Sequence, residues 1–334
     1  HLEFVNPVAL GRMRAWQDRT EDVLHQRGMC VLIHGDAAFA GEGVVQETLN
    51  FSDLRAYAVG GALHIIVNNQ AAFTTNPGQY TSTYYCTDVA RMLQSPIFHV
   101  DGEDPEAVAQ VINVAMEFRK QFRRDVFIDM YCYRKRGHNE GDEPAFTQPL
   151  LYREIAKRKS VRDNYSERLL KLGEITQEDA DKIAVERRDN LEEALSEARA
   201  KPQVRPASLL RGVWSNYRGG PDKSVPDVDT GVDADRLSPL LIKLCTVPQD
   251  FKIHPKLEKF FEHRREMAAG GRPLDWATAE SLAFATLAAE GALVRMTGQD
   301  VERGTFSQRH AMLHDFENGR QFMPLQHVAR DQAP

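Results

Sequence analysis

The sequence holds 334 residues, with 42 basic and 48 acidic side chains and a formal charge of −6. That length exceeds what one core usually fills, so about two domains are expected. With 27% charged and 42% hydrophobic residues the chain has a globular make-up and no basic excess for a nucleic acid, and no apolar run nears the roughly 18 residues of a membrane span.

The chain opens on His1-Leu2-Glu3-Phe4 with no Met, leader or transit pattern, and reads as the interior of a longer polypeptide. Met29 to His34 reads as a buried strand, followed by a glycine-bearing loop from Gly35 to Gly43. Val44 to Leu54 has helical spacing, with Val44, Val45, Thr48, Leu49 and Phe51 on one face, and Ala62 to Val67 is the next strand. Strand, helix and strand at this spacing predict a βαβ crossover and a parallel sheet covered on both faces. The pattern recurs with a strand over Pro96–Val100, a helix over Pro105–Phe122 and a strand over Asp125–Tyr133. In that helix Ala107, Val108, Val111, Ile112, Ala115 and Phe118 make the inward stripe, and Asp104 is its N-cap. The fold class is α/β, a doubly wound parallel sheet.

From Leu151 the texture changes. Tyr152 to Ala200 is charged and helical, with a helix start at Thr176, and reads as a solvated face or spacer. Lys201 to Asp235, rich in Pro and Gly, reads as a connector, and another helix covers Pro255–Ala269. After Gly270-Gly271 a new α/β unit begins, with a helix over Thr278–Glu290 and a strand over Ala292–Met296. The expected parts are therefore an α/β domain over 1–150, a helical and loop connector over 151–270, and the start of a second α/β domain over 271–334. Cys30, Cys86, Cys132 and Cys245 lie too far apart for a zinc site or a disulfide framework, which suits a reducing compartment. Cys30 and Cys132 sit in apolar strand runs as small buried thiols.

The chemistry concentrates where Gly35-Asp36-Ala37-Ala38-Phe39-Ala40-Gly41-Glu42-Gly43 meets Asn68-Asn69-Gln70. Asp36 falls at the carboxyl end of one strand and Asn69 at the end of the strand reached through the crossover. In a doubly wound sheet that edge, beside a helix N-terminus, receives phosphorylated ligands. A carboxylate, an amide and a backbone carbonyl form a hard oxygen set that leaves positions for diphosphate oxygens, as magnesium prefers. Taken singly, Asp36 reads more readily as an N-cap and Asn68-Asn69 as a turn, and the combination is what points to the ligand site. Gly41-Glu42-Gly43 is not a dinucleotide fingerprint, because Gln46 stands where a third glycine belongs, and no nucleotide P-loop ending follows.

Gly35-Asp36-Ala37, then thirty residues, then Asn68-Asn69 resembles the thiamine diphosphate signature, with alanine in place of its usual last glycine. Around it stand Gly43-Val44-Val45-Gln46-Glu47-Thr48-Leu49-Asn50, Phe73-Thr74-Thr75, Tyr85-Cys86-Thr87-Asp88 and Pro96-Ile97-Phe98-His99-Val100. Further on come Arg124-Asp125-Val126-Phe127-Ile128-Asp129, Gly137-His138-Asn139-Glu140, Arg303-Gly304-Thr305-Phe306, Arg309-His310-Ala311 and Pro324-Leu325-Gln326-His327. Together these resemble the thiamine-dependent, decarboxylating first components of 2-oxoglutarate dehydrogenase, nearly end to end and least between Leu169 and Lys243.

The resemblance implies a thiamine diphosphate-binding fold in 1–150 and the opening of a pyrimidine-binding domain from 271. It puts Mg2+ on Asp36, Asn69 and the Ala71 carbonyl, Ala37 and Ala38 against thiamine diphosphate, and Leu2 near the cofactor rings. His138 would lie in a loop closing over the active-site mouth as a catalytic residue; a surface histidine capping its own turn is an equally good reading. His310 and His314, spaced i, i+4, lack the Glu of a zinc-protease helix. Ser307-Gln308 departs from the family pattern before Arg309-His310 and weakens any catalytic reading there. The implied activity is decarboxylation of 2-oxoglutarate with succinyl transfer to the lipoyl domain of dihydrolipoyl succinyltransferase, by a homodimer in bacterial cytoplasm or, less favoured, the mitochondrial matrix. The family's activating glutamate finds no match, since Glu290 is not at its position. The chain thus reads as a central slice, expected to be inactive alone. Two alternatives stand beside this: action on 2-oxoadipate or another 2-oxo acid, including carboligation, and an interface module without catalysis.

Overall fold

A computed structural model describes residues 2–200, 212–217 and 220–333. They fall into two compact units, His1–Arg205 and Pro206–Pro334. The predicted connector stretch over 201–211 lies outside the described residues.

The first unit runs α1 (Val5–Arg19), β1 (Val31–Gly35), α2 (Asp36–Gly41), α3 (Gly43–Leu49), β2 (Leu63–Asn68) and the short α4 (Pro77–Tyr80). It continues with β3 (Ile97–Asp101), α5 (Pro105–Phe122) and β4 (Val126–Tyr131), and then the charged helices α6 (Pro149–Lys157), α7 (Val161–Leu172) and α8 (Gln177–Ala200). The four strands lie in the order β1-β2-β4-β3 and every pairing is parallel. Parallel strands need crossovers, and here α2 with α3 joins β1 to β2 while α5 joins β3 to β4. The two crossovers supply the two apolar layers. On one face Phe39, Val45 and Leu49 pack with Ile66, Cys86, Ala90 and Phe127; on the other Ala115 packs with Leu63, Val100, Val126 and Ile128. Phe39 and Phe127 are fully buried, each stabilising the unit by about 2–3 kcal/mol through area removed from water.

Local sequence explains the helix ends. The Asp104 carboxylate accepts from the Glu106 and Ala107 N–H groups at the start of α5. Thr176 and Asp179 cap α8 reciprocally, with the hydroxyl on one N–H and the carboxylate on the other. Arg119 is buried yet satisfied: its guanidinium donates to the carbonyls of Gly61 and Gly28 at 2.8 and 2.7 Å. Gly61 has φ +82, and a Cβ there would stand 2.3 Å from the Arg124 carbonyl oxygen, so only glycine fits.

Four expectations for this unit need correction. The stretch after β1 is not an open loop, because Asp36–Gly41 forms helix α2 before the chain turns at Glu42. The helix predicted over Val44–Leu54 ends at Leu49, and turns follow. The strand predicted as buried alternates instead, with Val31 47% and Ile33 70% exposed, because these two lie on the α5 face of the sheet and α5 packs on β2, β3 and β4. On α5, Ile112 falls at the margin of the stripe and is exposed.

The second unit packs α9 (Ala234–Leu244), α10 (Pro255–Ala268) and α11 (Trp276–Ala289) with a short antiparallel pair, β5 (Leu313–His314) and β6 (Gln321–Phe322). Its core holds Leu241, Leu244, Phe251, Phe261, Leu282 and Leu313. The strand expected over Ala292–Met296 is not formed, and Leu293, Val294 and Met296 are exposed. That apolar run has no described strand beside it, and an extended segment without a ladder gains no strand hydrogen bonds.

Candidate functional site at the carboxyl edge of the sheet

Gly35 pairs with Val67, so Asp36 stands level with Asn68 at the carboxyl ends of neighbouring strands. Asp36 is 1% exposed. The Tyr80 hydroxyl donates to its Oδ2, and the backbone N–H groups of Asp36, Asn69 and Ala37 also point at the carboxylate. Burial outweighs these donors and raises its pKa above the ordinary carboxylate value. The Tyr80 phenol is pushed upward as well, by burial and then by Asp36. Among the described residues, the groups that hold this buried carboxylate are a phenol and peptide N–H groups, with no cationic side chain.

Asn69 lies beside it, half-buried, with its Oδ1 accepting from the Ala71 N–H at 3.1 Å. Gln70 and Phe73 adopt left-handed backbone, φ 58 and φ 55, and an Ala72–Thr75 bridge closes the loop. Non-glycine residues held in that region store strain, a feature that gathers at binding sites. The structure therefore brings Asp36, Ala37, Asn69 and Ala71 to one edge, with Ala38 on the first turns of α2. Leu2 is exposed and precedes Glu3, which is buried against His34 of β1. His138 sits in an exposed loop whose ring packs on Phe73 at 4.6 Å between centroids, and its N–H donates to Asp142. That contact joins the His138 loop to the loop following Asn69.

Three features escaped the sequence reading. Tyr80, 44 residues from Asp36, gave no signal. The second is Asp129, fully buried on β4, which accepts from Asn68 Nδ2 at 2.9 Å, Thr87 Oγ1 at 3.2 Å and His99 Nδ1 at 3.0 Å. The Asn68 carbonyl also accepts from the Cys132 N–H, so the residue before Asn69 is held from two sides. Burial and the neighbouring Asp129 raise the Cys86 thiol, and burial pushes Tyr131 up to about 12. The third is a buried row, Glu3–His34–His64–Asp125. Polar residues inside apolar strand runs were the available sign of the second and third.

In the second unit, His310 and His314 share no helix face. His310 donates through Nε2 to the Ser307 carbonyl and packs on Phe260, whereas His314 of β5 pairs with Glu302 at 2.9 Å. Glu290 is at the surface in an ion pair with Arg236. Among the described residues, no three His, Cys, Asp or Glu side chains gather as a metal site, so a cation at Asp36 would draw on amide, carbonyl and ligand oxygens. Among the same residues no helix is long and apolar enough to cross a membrane.

Comparison with known proteins matches residues 3–207 to the family described as dehydrogenase E1 component, and residues 272–324 to the transketolase pyrimidine binding domain. The 2-oxoglutarate dehydrogenase E1 component of Brucella ovis is 47% identical over 345 residues, covering 100% of this chain and 34% of the relative. The same-named protein of Brucella anthropi is 46% identical over 344 residues, again covering 100% of the chain and 34% of the relative. The chain thus spans about a third of the length of these relatives.

Proposed function

Because the chain belongs to the dehydrogenase E1 component family, we propose that the gene product carrying it decarboxylates 2-oxoglutarate, using thiamine diphosphate and Mg2+. The carrying observation is Asp36, a buried carboxylate facing Asn69 across two strand ends and lacking a cationic side-chain partner among the described residues. A bound cation would relieve the desolvation that now raises its pKa, and the donor set of carboxylate, amide and carbonyl suits magnesium.

In this reading Asp36, Asn69 and the Ala71 carbonyl hold Mg2+. Ala37 and Ala38, having no bulk beyond Cβ, let the diphosphate approach the backbone at the start of α2. When bound, thiamine diphosphate supplies the electron sink that permits loss of carbon dioxide from a 2-oxo acid. The chain's own share is to grip, orient and exclude water: Asp129 fixes Asn68, and the loop pair Phe73–His138 covers the mouth. His138 is placed as the catalytic residue that meets substrate from that loop. The functional division follows as a diphosphate-holding part in 1–150, a connector in 151–270 and a pyrimidine-side part from 271. The partners are 2-oxoglutarate, the lipoyl domain of a dihydrolipoyl succinyltransferase and a second copy of the chain. With bacterial relatives, the bacterial cytoplasm is the proposed location.

The test is a panel of 2-oxo acids offered to the gene product with thiamine diphosphate and Mg2+. The reading expects carbon dioxide release from 2-oxoglutarate in preference to 2-oxoadipate. Preference for 2-oxoadipate would move the assignment to that acid, and release from neither would overturn the enzymatic reading in favour of an interface module.

A further inference from the structure

A row of four polar side chains crosses the face of the sheet beside Phe39. Glu3 Oε2 lies 2.7 Å from His34 Nδ1, His34 Nε2 lies 3.0 Å from His64 Nδ1, and His64 Nε2 lies 3.4 Å from Asp125 Oδ2. Glu3, His34 and His64 are each 2% exposed and Asp125 is 5% exposed. Burying four such groups is costly unless each finds a partner, and the row satisfies them in series. Burial alone would raise the Glu3 pKa, but hydrogen bonds from His34 and Asn6 hold it below the usual carboxylate value.

The ends of the row differ in what they hold. At the far end Asp125 also accepts from the Ala62 N–H at 2.7 Å, inside the sheet. At the near end Glu3 is the one inward side chain between Leu2, 75% exposed, and Phe4, 59% exposed. The Glu3 N–H also meets the carboxylate of Glu42, the residue that precedes α3. The N-terminal turn is thus tied both to β1, two residues before Asp36, and to the chain between α2 and α3. Helix α1 does not need this tie, since Ala9, Leu10 and Met13 pack on Cys30, Leu32 and Ala62, and Gln17 donates to the Val59 carbonyl. Glu3 therefore adds orientation to the first turn rather than attachment to the helix.

We propose that Glu3 is a positioning residue of the sheet-edge site: gripped by His34 at the head of the buried row, it sets the N-terminal turn so that Leu2 stands against the rings of the bound cofactor. The proposal rests on the thiamine diphosphate reading and extends it to a residue that touches no cofactor itself. Glu3→Ala removes the grip, Glu3→Gln keeps an acceptor for His34, and Asp125→Asn disturbs the row at the end remote from the turn.

The experiment measures thiamine diphosphate affinity by calorimetry in the presence of Mg2+, thermal stability, and hydrogen exchange over residues 2–8, all in the gene product. Glu3→Ala should weaken the cofactor about tenfold and speed exchange over the turn, as loss of a hydrogen bond to a charged group predicts. Glu3→Gln should restore affinity to within about threefold, and Asp125→Asn should lower the melting temperature while shifting affinity by less than about threefold. Equal loss of affinity in Asp125→Asn and Glu3→Ala would show a merely structural row and overturn the proposal. Unchanged exchange over the turn in Glu3→Ala would also overturn it, whether or not cofactor binds. Absence of binding by the unsubstituted protein would instead sink the reading of the site on which the proposal stands.

Discussion

Asp129 offers the sharpest test of how the sheet holds its functional edge. Its side chain is fully buried and ties three elements, taking Asn68 at Oδ1 and both Thr87 and His99 at Oδ2. Asp129→Asn keeps an oxygen for Asn68 but sets a neutral NH2 group where the Thr87 hydroxyl and the His99 ring met a carboxylate oxygen. Two hydrogen bonds to a carboxylate are then replaced by neutral ones, at about 1 kcal/mol each, so the predicted destabilisation is about 2 kcal/mol. Urea titration followed by circular dichroism gives the number directly, with an unchanged m-value showing that the unfolded state is not the cause. His99→Phe keeps the ring packed on Tyr85, whose centroid is 3.9 Å away, while removing the donor. A double-mutant cycle of the two should show coupling of about 1 kcal/mol, because both changes act on the same bond. Strict additivity, or a loss under about 1 kcal/mol for Asp129→Asn, would refute the view of Asp129 as the shared acceptor.

Tyr80→Phe should cost about 1 kcal/mol by removing one donor from Asp36, seen as a fall of a few degrees in melting temperature; an unchanged midpoint would separate the two residues. Gly61→Ala should destabilise by more than about 1 kcal/mol in urea titration, since its Cβ meets the Arg124 carbonyl in a left-handed backbone. Burial, with Arg264 and Arg303 nearby, holds His310 below the ordinary histidine pKa. The unfolded chain therefore takes up this proton first, so stability present above the ordinary histidine value is lost as pH falls toward the folded one. Thermal unfolding between about pH 7 and pH 5 should show a shallower decline for His310→Gln, and an identical slope would count against the shift.

Much of the first unit was legible because its signals are local. The apolar runs at Ala62–Val67 and Asp125–Tyr133 form β2 and β4 within a residue or two, and Asp104 caps α5 as its position before Pro105 demands. Helix α2 was not legible: six residues flanked by glycine carry too little periodicity to separate a helix from a loop. The exposed face of β1 depends on its place in the sheet order, which no local pattern encodes. The edge pairing of Asp36 with Asn69 could be read from strand ends and spacing, whereas Tyr80, Asp129 and the Glu3 row rest on contacts 30 to 61 residues apart in the chain. The segment at Ala292–Met296 has the composition of a strand, and composition alone cannot provide a partner for it.

The central claim is that Asp36 and Asn69 hold a magnesium-bound diphosphate at the sheet edge. Titrating thiamine diphosphate into the gene product with Mg2+ and with a chelator, for the unsubstituted protein and for Asp36→Asn, tests it most directly. Saturable binding that requires Mg2+ and is lost in Asp36→Asn is the expected result. Binding of equal strength without the cation, or undiminished by the substitution, would contradict it.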